Sequence, residues 1–515
     1  MIVHAAIRPA VYRDSVVLMR VAEALRARPG VREAAALMGT PANHALLGSA
    51  GLATPETARA GPTDLVLAVA ADTEADAQDA LAAVDALLEA GPRRPAAGRS
   101  RPRTLRTALA EAPDAALVAI SVPGAFAALE ARRALHAGRH VFLFSDNVPL
   151  AEEIALKRLA VARRRLCMGP DCGTAYVAGV GLGFANVVPC GRIGIVAASG
   201  TGLQAIAAHL AALGEGVSHG LGVGGRDLSA EVGGLMTGLA LDALARDPAT
   251  EIVVLVSKPP APATVPTLAT ALRALGKPAV ACALGTSPVA AGGARWVETL
   301  EDAARCAAAL AAGRGFSPAP FADPAAVRAA LARRAAEPGR AGPVLLGLYT
   351  GGTLAHEARG ILAPVLGPIV DDLRGGPAGV HRIVDLGADE LTAGRPHPML
   401  DPAARAAGVR EAGRLAEVGV LLVDLVLGRG VHPDPAGPLA AAVREARAAA
   451  RAAGRALTVV GSVVGTAADP QGLAGQVARL REAGVEVLPS NAQAARFAAL
   501  CLRPALATVL LGPAA

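Results

Sequence analysis

The chain has 515 residues, which at about 150 residues per domain predicts three or four domains. Hydrophobic residues make up 53% of it and the mean hydropathy is +0.42, which excludes a disordered chain. The net charge is +6, and all but three of the 50 basic residues are arginines. Because these arginines are scattered and lack interleaved aromatic residues, we expect no nucleic-acid partner.

The cysteines, histidines and apolar runs exclude further classes of protein. The six cysteines include no CxxC pair and the ten histidines form neither HxH nor HExxH, so we expect neither a disulfide scaffold nor a metal site. No apolar run reaches the roughly 18 residues of a membrane span, so we expect no membrane partner. The first residues carry charges from Arg8 onward and no apolar segment of signal-peptide length, which predicts a cytoplasmic protein.

Short apolar runs alternate with alanine-rich stretches, a pattern typical of strands separated by helices. The predicted strands are 64–71, 115–122, 140–144, 192–198, 251–256, 278–284, 344–349, 419–426 and 457–464. One of the helices between them is predicted around 149–165, with Pro149 near its start. Strand–helix–strand repetition predicts an α/β fold with several parallel-sheet domains and helices on both faces of the sheets.

Two stretches rich in proline, glycine and arginine are predicted linkers, at 91–104 and at about 313–342. A softer boundary is predicted near 189–191. The predicted domains are an N-terminal α/β unit at 1–90 and three further α/β domains at about 105–188, 189–312 and 343–515.

Loops that follow strands are the first places to look for a site, because open parallel sheets bind ligands at the carboxyl ends of their strands. Small residues there let the backbone approach an anion, and the N–H groups of the next helix favour negative charge. The candidate phosphate- or cofactor-binding residues in these loops are Ser199, Gly200, Thr201, Gly202, Gly224, Gly225, Gly351, Gly352 and Thr353. The alternative for each loop is an ordinary turn, with Ser or Thr as a helix cap.

A long polar segment at 371–402, rich in glycine and proline, is a candidate functional loop. In it, Arg395 and His397 lie beside prolines that stiffen the backbone. That arrangement suits an arginine that binds a carboxylate or phosphate and a histidine that transfers a proton. The alternative is a rigid surface loop.

Later loops hold further candidates. His432 is a second choice of catalytic histidine. After the strand at 457–464, Thr466 is a further candidate phosphate- or cofactor-binding residue, and Gln471 is a contact candidate. Asp469 precedes a proline and is predicted to cap a helix. Cys172 is the best-placed thiol for a nucleophile, but a small buried residue is the favoured interpretation.

Several motifs together resemble a known family. The segment 121–160, followed by MGPDCGTA at 168–175, is similar to the CoA-binding domain of the succinyl-CoA synthetase α subunit. GRIGIVAASGTG at 191–202 and LGVGGRDLS at 221–229 are similar to the second domain of that subunit. Together with MGTPAN, GRPHPM and DPQ, which begin at residues 38, 394 and 469, they make nearly the whole chain resemble the FdrA family.

The resemblance implies a Rossmann-like CoA-binding domain followed by flavodoxin-like domains of the succinyl-CoA synthetase type. It also implies a subunit of an oligomeric, multi-subunit enzyme that acts on a small anionic substrate, with CoA as a candidate ligand and no other cofactor. The substrate would be carbamoyl phosphate, oxamate or an acyl-CoA.

The resemblance leaves three functions open. The loop at 285–296, which corresponds to the α subunit's phosphohistidine loop, contains no histidine, and no ATP-grasp domain is present on this chain. We therefore expect first an oxamate carbamoyltransferase subunit, which exchanges a carbamoyl group between phosphate and oxamate. The alternatives are an acyl-CoA synthetase subunit whose ATP-grasp domain lies on a partner chain, and a non-catalytic CoA- or nucleotide-binding scaffold.

The expected mechanism is direct transfer. The N–H groups of 199–202 or 351–353 would hold the phosphoryl oxygens, and Arg395 would hold a carboxylate or phosphate through a bidentate pair. His397 or His432 would polarise the carbonyl or transfer a proton.

Overall fold

The structure is a computed structural model that describes residues 2–11, 13, 15–89, 102–286, 293–372, 379–392 and 396–512. Most of the predicted linker at 91–104 and half of the loop at 285–296 lie outside the described residues, as does Arg395. The chain forms two compact units, the first made of 1–102 with 392–396 and the second of 103–391 with 397–515. In the part of the chain that is described, no helix combines the length and apolarity needed to cross a membrane.

The described residues of the first unit form a three-stranded sheet and four helices. Its elements are β1 (Ile2–Arg8), α1 (Ser15–Arg26), β2 (Val31–Met38), α2 (Pro41–Ser49), a 3-10 turn (Thr57–Arg59), β3 (Leu65–Ala71), α3 (Glu74–Ala82) and α4 (Val84–Glu89). The strand order is β1-β3-β2, and β3 pairs antiparallel with both neighbours. The expectation of parallel sheets is wrong for this unit, because β3 inserts between the two strands that α1 connects and runs opposite to both.

The second unit begins with a small parallel sheet. Its elements are α5 (Leu105–Glu111), β4 (Leu117–Ile120), α6 (Gly124–His136), β5 (His140–Leu143), α7 (Leu150–Arg163) and β6 (Cys167–Met168). The strands have the order β4-β5-β6 and all are parallel. The helix predicted around 149–165 is confirmed as α7, with Pro149 as its N-cap.

A seven-stranded sheet follows. Its elements are β7 (Thr174–Val177), β8 (Val180–Gly183), β9 (Ile193–Ala198), α8 (Gly200–Ala212), β10 (Val217–Gly222), α9 (Leu235–Arg246), β11 (Ile252–Ser257), a 3-10 turn (Pro262–Thr264), α10 (Val265–Arg273), β12 (Ala279–Ala283), β13 (Arg295–Trp296) and α11 (Leu300–Ala311). The order is β13-β12-β11-β9-β10-β7-β8; β7 runs antiparallel to both of its neighbours, β10 and β8, and the other neighbouring strands pair in parallel. This hairpin precedes residue 188, so the segment that we assigned to the second domain supplies two strands to the sheet of the third.

The last sheet has six parallel strands. Its elements are α12 (Pro324–Ala335), β14 (Arg340–Ala341), β15 (Val344–Tyr349), α13 (Gly352–Leu366), β16 (Ile369–Val370), β17 (His381–Asp385), α14 (Asp389–Thr392), α15 (Ala403–Ala412), β18 (Val418–Val426), α16 (Ala436–Ala452), β19 (Arg455–Ala456), β20 (Thr458–Val464), α17 (Leu473–Glu482), β21 (Val485–Leu488), α18 (Asn491–Leu502), a 3-10 turn (Pro504–Leu506) and α19 (Ala507–Leu510). The order is β16-β17-β15-β18-β20-β21, and β14 pairs separately with β19.

Each of the nine predicted strands coincides with an observed strand, so the α/β class is confirmed. The predicted helix cap at Asp469 is wrong, because α17 begins at Leu473 with Gly472 as its N-cap. The carboxylate of Asp469 instead accepts hydrogen bonds from the N–H of Val187 (2.7 Å) and from Nδ2 of Asn186 (2.8 Å). It therefore ties the segment before β9 to the loop after β20.

One apolar core joins the seven-stranded and six-stranded sheets. It includes Ile195 of β9, Leu203 of α8, Leu354 of α13, Val460 of β20 and Phe497 of α18, all fully buried. Burial of shared apolar surface makes the two sheets one packing unit. Residues 103–391 and 397–515 form one compact unit, which shows no division at 188 or 343. The domain boundaries at these two positions stay predictions.

A buried glutamate joins the helices of the two sheets. Glu357 in α13 accepts hydrogen bonds of 2.7 Å from the N–H of Leu300, at the start of α11, and from Nδ2 of Asn491, at the start of α18. Burial raises the pKa of Glu357 to about 7, although both hydrogen bonds act in the opposite direction. Glu357 therefore changes charge near neutral pH inside this contact.

We expect Glu357 to make the free energy of unfolding fall as the pH rises. In the unfolded chain the carboxyl ionises near its ordinary pKa of 4.5, whereas the folded chain keeps the proton until about pH 7. Its stabilising contribution is complete below about pH 4.5 and is lost as the pH rises through about 7, a change of about 3 kcal/mol. Urea unfolding of the wild type and of Glu357→Gln at several pH values measures this difference.

The matched control is Glu482→Gln, which changes an exposed glutamate on α17. This control should keep the pH dependence of the wild type, whereas Glu357→Gln should flatten it. The same slope in all three proteins would contradict a proton held by Glu357.

Candidate functional site

The carboxyl ends of β9 and β15 lie opposite each other, and a helix follows each strand. Oγ of Ser199, directly after β9, is hydrogen-bonded to Oγ1 of Thr353 in α13. A Cβ on Gly351 would lie 3.0 Å from Cγ2 of Thr201 in α8. The first turns of α8 and α13 therefore meet at a distance that requires a small residue.

We define the facing turns as residues 199–202 and 350–353. Some of their backbone N–H groups are bonded to side chains of the protein, and others lack an acceptor within the helix. Ser199 caps α8, because its Oγ accepts a hydrogen bond of 2.8 Å from the N–H of Gly202. The N–H groups of the two residues between them lie in the first helical turn, where no carbonyl of the helix can accept from them. Those two groups are free of intrahelical bonds and can face an anion.

In the second facing turn, a buried carboxylate takes the first two N–H groups. Asp424 in β18 accepts hydrogen bonds of 2.8 Å from the N–H of Thr350 and 2.9 Å from the N–H of Gly351. Oγ1 of Thr350 donates to it as well, at 2.9 Å. The N–H groups of Gly352 and Thr353 remain for a ligand, because they too lie in the first turn of a helix.

The charge of Asp424 is balanced inside the core. Arg405 in α15 lies 3.1 Å from Oδ1 of Asp424, and both side chains are almost completely buried. Burial lowers the pKa of Arg405, and the charge of Asp424 opposes that shift. Removal of either partner would leave an unpaired buried charge, which costs about 3–5 kcal/mol. The pair therefore fixes the conformation of the second facing turn.

Three side chains outside our candidate set lie beside Gly352. A Cβ at this position would overlap Oδ2 of Asp385, at the end of β17, and would lie 2.8 Å from Nζ of Lys258, directly after β11. Nδ1 of His356 in α13 lies 2.8 Å from the carbonyl oxygen of Gly352. Glycine at 352 thus leaves room for an ammonium group, a carboxyl group and an imidazole at the facing turns.

The electrostatics of this group favour an anionic ligand. Lys258 is half-buried and makes no hydrogen bond or ion pair with any described residue. Burial raises the pKa of Asp385, with the charge of Lys258 acting in the opposite direction. Burial also lowers the pKa of His356, against its hydrogen bond to Gly352, so the imidazole is neutral at pH 7.

Lys258 could have been found from the sequence. It lies two residues after the predicted strand at 251–256, and the search for loops after strands also pointed to Ser199. It is also one of only three lysines in an arginine-rich chain. His356 carries no comparable local pattern, because it lies inside α13 and only the tertiary fold brings it to Lys258.

The two predicted catalytic histidines contact the same short segment. Nδ1 of His397 accepts a hydrogen bond of 3.2 Å from the N–H of Met399, and the carbonyl of Met399 accepts one of 2.9 Å from the N–H of His432. Nε2 of His397 lies 2.5 Å from where a Cβ on Gly387 would stand, just after β17. Burial lowers the pKa of His397 to about 4, so its ring is neutral at pH 7. The assignment of Arg395 stays a prediction, because it lies outside the described residues.

The loop with Gly224 and Gly225 packs against a different partner. Gly224 has a φ of 90°, and a Cβ there would lie 2.6 Å from the carbonyl oxygen of Pro170. Gly225 is near the same segment, because its Cβ would lie 3.8 Å from Oδ2 of Asp171. Close packing explains Gly224 without a ligand, and the binding role of both glycines stays a prediction.

A buried ionic cluster fixes that loop. Nζ of Lys157 lies 2.7 Å from Oε1 of Glu153, 2.8 Å from Oδ1 of Asp227 and 2.9 Å from the carbonyl oxygen of Val223. All three charged side chains are almost completely buried. Nε of Arg226 lies 2.8 Å from Oε2 of Glu153, so two cations face two carboxylates and the cluster is a structural one.

Cys172 is a small buried residue, as the favoured interpretation had it. Its thiol is 2% exposed and lies 3.3 Å from the carbonyl oxygen of Gly222. Burial raises its pKa well above the usual range. A thiol that stays protonated is a poor nucleophile.

Thr466 and Gln471 both make contacts between loops. Oγ1 of Thr466 donates a hydrogen bond of 2.8 Å to the carbonyl oxygen of Val187. The amide of Gln471 accepts from the N–H of Gly428 at 3.1 Å and donates to its carbonyl oxygen at 2.8 Å. These polar groups are therefore already engaged within the chain.

Two family models match parts of the chain. The model described as "AllF, heavy metal-associated domain" matches residues 1–103, and the one described as "CoA-ligase" matches residues 348–501. The second range includes one of the facing turns. It agrees with the resemblance to succinyl-CoA synthetase that the sequence motifs carry.

The N-terminal residues do not fit a heavy-metal site. Residues 1–103 contain no cysteine, and their two histidines are His4 and His44. Nε2 of His44 is engaged with the carbonyl oxygen of Ala60 at 2.9 Å. No group of three or more His, Cys, Asp or Glu side chains suited to a metal ion occurs among the residues that the structure describes. Soft metals prefer thiolate ligands, which this segment lacks.

Two solved structures are similar to parts of the chain. The dinucleotide-forming acetyl-coenzyme A synthetase 1 of Ca. Korarchaeum cryptofilum has a TM-score of 0.28 and 17% identity, over 77% of this chain and 84% of its own. The ATP citrate lyase of Methanothrix soehngenii, in complex with citrate and coenzyme A, has a TM-score of 0.31 and 20% identity, over 41% of this chain and 38% of its own.

A relative matches nearly end to end. The uncharacterized protein YahF of Escherichia coli (strain K12) is 37% identical over 509 residues, which cover 95% of this chain and 97% of YahF. None of these relatives is described as a carbamoyltransferase. The CoA-ligase match and the full-length relative agree with the family motifs in the sequence, and the chain therefore belongs to the FdrA family of acyl-CoA synthetase-like proteins.

Proposed function

We propose that this chain is an acyl-CoA synthetase-like subunit that holds an acyl phosphate, or the phosphate derived from it, beside Lys258 at the facing turns. The observation that carries the proposal is the meeting of two helix N-termini beside Lys258. The CoA-ligase match, which covers the second of these turns, supports it.

The charges at the facing turns suit a phosphate group. Each helix N-terminus contributes about half a positive charge and two N–H donors that lack intrahelical acceptors. Lys258 adds a full charge with no carboxylate in direct contact among the described residues. The nearby carboxyl group of Asp385 is one whose protonated form burial favours. The sum is positive, so a dianionic phosphoryl group would be stabilised there.

The proposed reaction is the transfer of an acyl group from phosphate to CoA. The CoA thiol attacks the carbonyl carbon of the acyl phosphate, so that a C–S bond forms and the C–O bond to phosphate breaks. Lys258 stabilises the negative charge on the leaving phosphate. The Nδ1–H of His356 donates to the carbonyl oxygen of Gly352, which leaves the lone pair of Nε2 to accept the thiol proton.

Oxamate carbamoyltransferase is the second candidate. The same anion site would hold carbamoyl phosphate, and the nitrogen of oxamate would replace the CoA thiol as nucleophile. The observation that favours it is the loop at 285–296, which has no histidine to carry a phosphoryl group. The two functions share the phosphate site and differ in the nucleophile.

A paired assay separates these functions. The full chain, alone and with the products of its neighbouring genes, is given acetyl phosphate with CoA, or carbamoyl phosphate with oxamate. We expect thioester formation in the first mixture. Oxalurate in the second mixture without thioester in the first would replace our proposal by the carbamoyltransferase. Neither product with all neighbours present would leave the non-catalytic scaffold.

We expect Lys258→Gln to raise KM for the acyl phosphate about tenfold or more. One charge-assisted hydrogen bond is worth about 1.5–3 kcal/mol, and the half-buried position limits compensation by water. The melting temperature should change little, because Lys258 has no partner among the described residues. Steady-state kinetics and thermal unfolding measure both quantities.

The matched control is Lys277→Gln, which removes the same charge from another half-buried lysine. Lys277 donates to the carbonyl oxygens of Leu244 and Asp247, away from the facing turns. An equal rise of KM in both variants would show a general effect of net charge and would contradict the assigned role of Lys258.

We expect His356→Asn to lower kcat about 100-fold or more while KM for the acyl phosphate stays close to the wild-type value. General-base catalysis contributes about 10²–10⁴-fold, and asparagine can still donate to the carbonyl oxygen of Gly352. We also expect no phosphohistidine after incubation with labelled acetyl phosphate. A stoichiometric, acid-labile label that disappears in His356→Asn would make this residue a phosphoryl carrier and would contradict its role as base.

A further inference from the structure

A second concentration of charge lies at the opposite edge of the six-stranded sheet. The short strands β14 and β19 precede β15 and β20, so they mark the amino ends of the parallel strands. A cavity of about 100 Å³ opens beside them, lined by residues 337–338, Arg447, Arg451 and residues 455–457. One buried water needs about 10–15 Å³, so this cavity has room for a larger polar group.

One carboxylate accepts hydrogen bonds from two guanidinium groups beside this cavity. Glu337 accepts hydrogen bonds from Nη1 of Arg334 at 2.9 Å and from Nη2 of Arg447 at 3.1 Å. Arg455 binds the neutral carbonyl oxygens of Leu415 and Gly413, so its charge has no carboxylate partner in these contacts. The positive charges in and beside the cavity therefore exceed the negative ones.

Arg451 adds to this excess from the open side. It is exposed in the last turn of α16, and its guanidinium group makes no hydrogen bond or ion pair with any described residue. The carboxyl ends of α15 and α16 contribute about half a negative charge each, which offsets the excess only in part. Arg340, which pairs in register with Arg455, places one more exposed guanidinium at the same edge.

The surrounding backbone holds one of these guanidinium groups in place. Gly484 has a φ of 88°, and a Cβ there would coincide with the guanidinium group of Arg447. Nε of Arg334 is buried and has no acceptor, and burial and the charge of Arg447 lower the pKa of Arg334 while the charge of Glu337 acts in the opposite direction. Glu337 thus offsets part of the like charge, and a further anion would offset the rest.

We propose that this cavity binds a compact, multiply charged anion, namely the phosphate or diphosphate group of a small molecule. Guanidinium groups bind phosphate oxygens in a bidentate geometry, and three of them converge on a space of suitable size. The cavity lies at the edge of the sheet opposite the facing turns, so the proposal does not rest on the function proposed above.

Calorimetric titration of the full chain at low ionic strength tests this site, with inorganic phosphate, pyrophosphate and ADP as probes. We expect pyrophosphate to bind, and Arg451→Gln to weaken that binding about tenfold. The matched control is Arg444→Gln, which removes the same charge from an exposed position on the same helix, outside the cavity lining. This control should keep the wild-type affinity.

Lys258→Gln distinguishes this cavity from the facing turns. It should leave unchanged the pyrophosphate binding that Arg451→Gln weakens. Binding of inorganic phosphate as tight as that of pyrophosphate would identify a single phosphate as the ligand, whereas a preference for pyrophosphate and ADP would identify a diphosphate. Equal weakening by both arginine variants, loss of all binding in Lys258→Gln, or no binding at millimolar pyrophosphate would overturn the proposal.

Discussion

The buried carboxylate of Asp424 holds the second facing turn, and the geometry of the candidate site depends on it. It accepts hydrogen bonds from the N–H groups of Thr350 and Gly351, directly before the first turn of α13, which contacts that of α8. Arg405 neutralises it inside the core, where an unpaired charge would be costly. The stability of one buried ion pair and the position of a proposed ligand site are thus linked.

Much of the fold could be predicted because buried parallel strands are continuous apolar runs. The run at 344–349, for example, is β15 without a change of boundary. β1 and β2 were missed because they are half-buried, rich in alanine and interrupted by charged residues such as Arg32 and Glu33. Such strands lack the clean pattern on which prediction rests, and their pairing with β3 is set by tertiary contacts.

The candidate site could be predicted only where it follows from local sequence. Ser199 and Gly352 were found because small residues follow strands, but the same loops also cap and pack, which the sequence alone does not separate. His356 lies in the middle of a helical pattern, and its position beside Lys258 arises from the packing of two sheets on one core. Asp469 was assigned to a local cap, yet its partners lie about 280 residues earlier in the chain.

The hairpin β7–β8 has a consequence for where this architecture can be divided. It covers the edge of β10, and Tyr176 of the hairpin is fully buried in the core shared by the two larger sheets. A fragment beginning at residue 189 would expose β10 as an unpaired edge and leave a gap where the tyrosine ring had packed. The smallest piece that recombination could transplant with its sheet intact therefore begins before Thr174, inside what the sequence presents as the preceding domain.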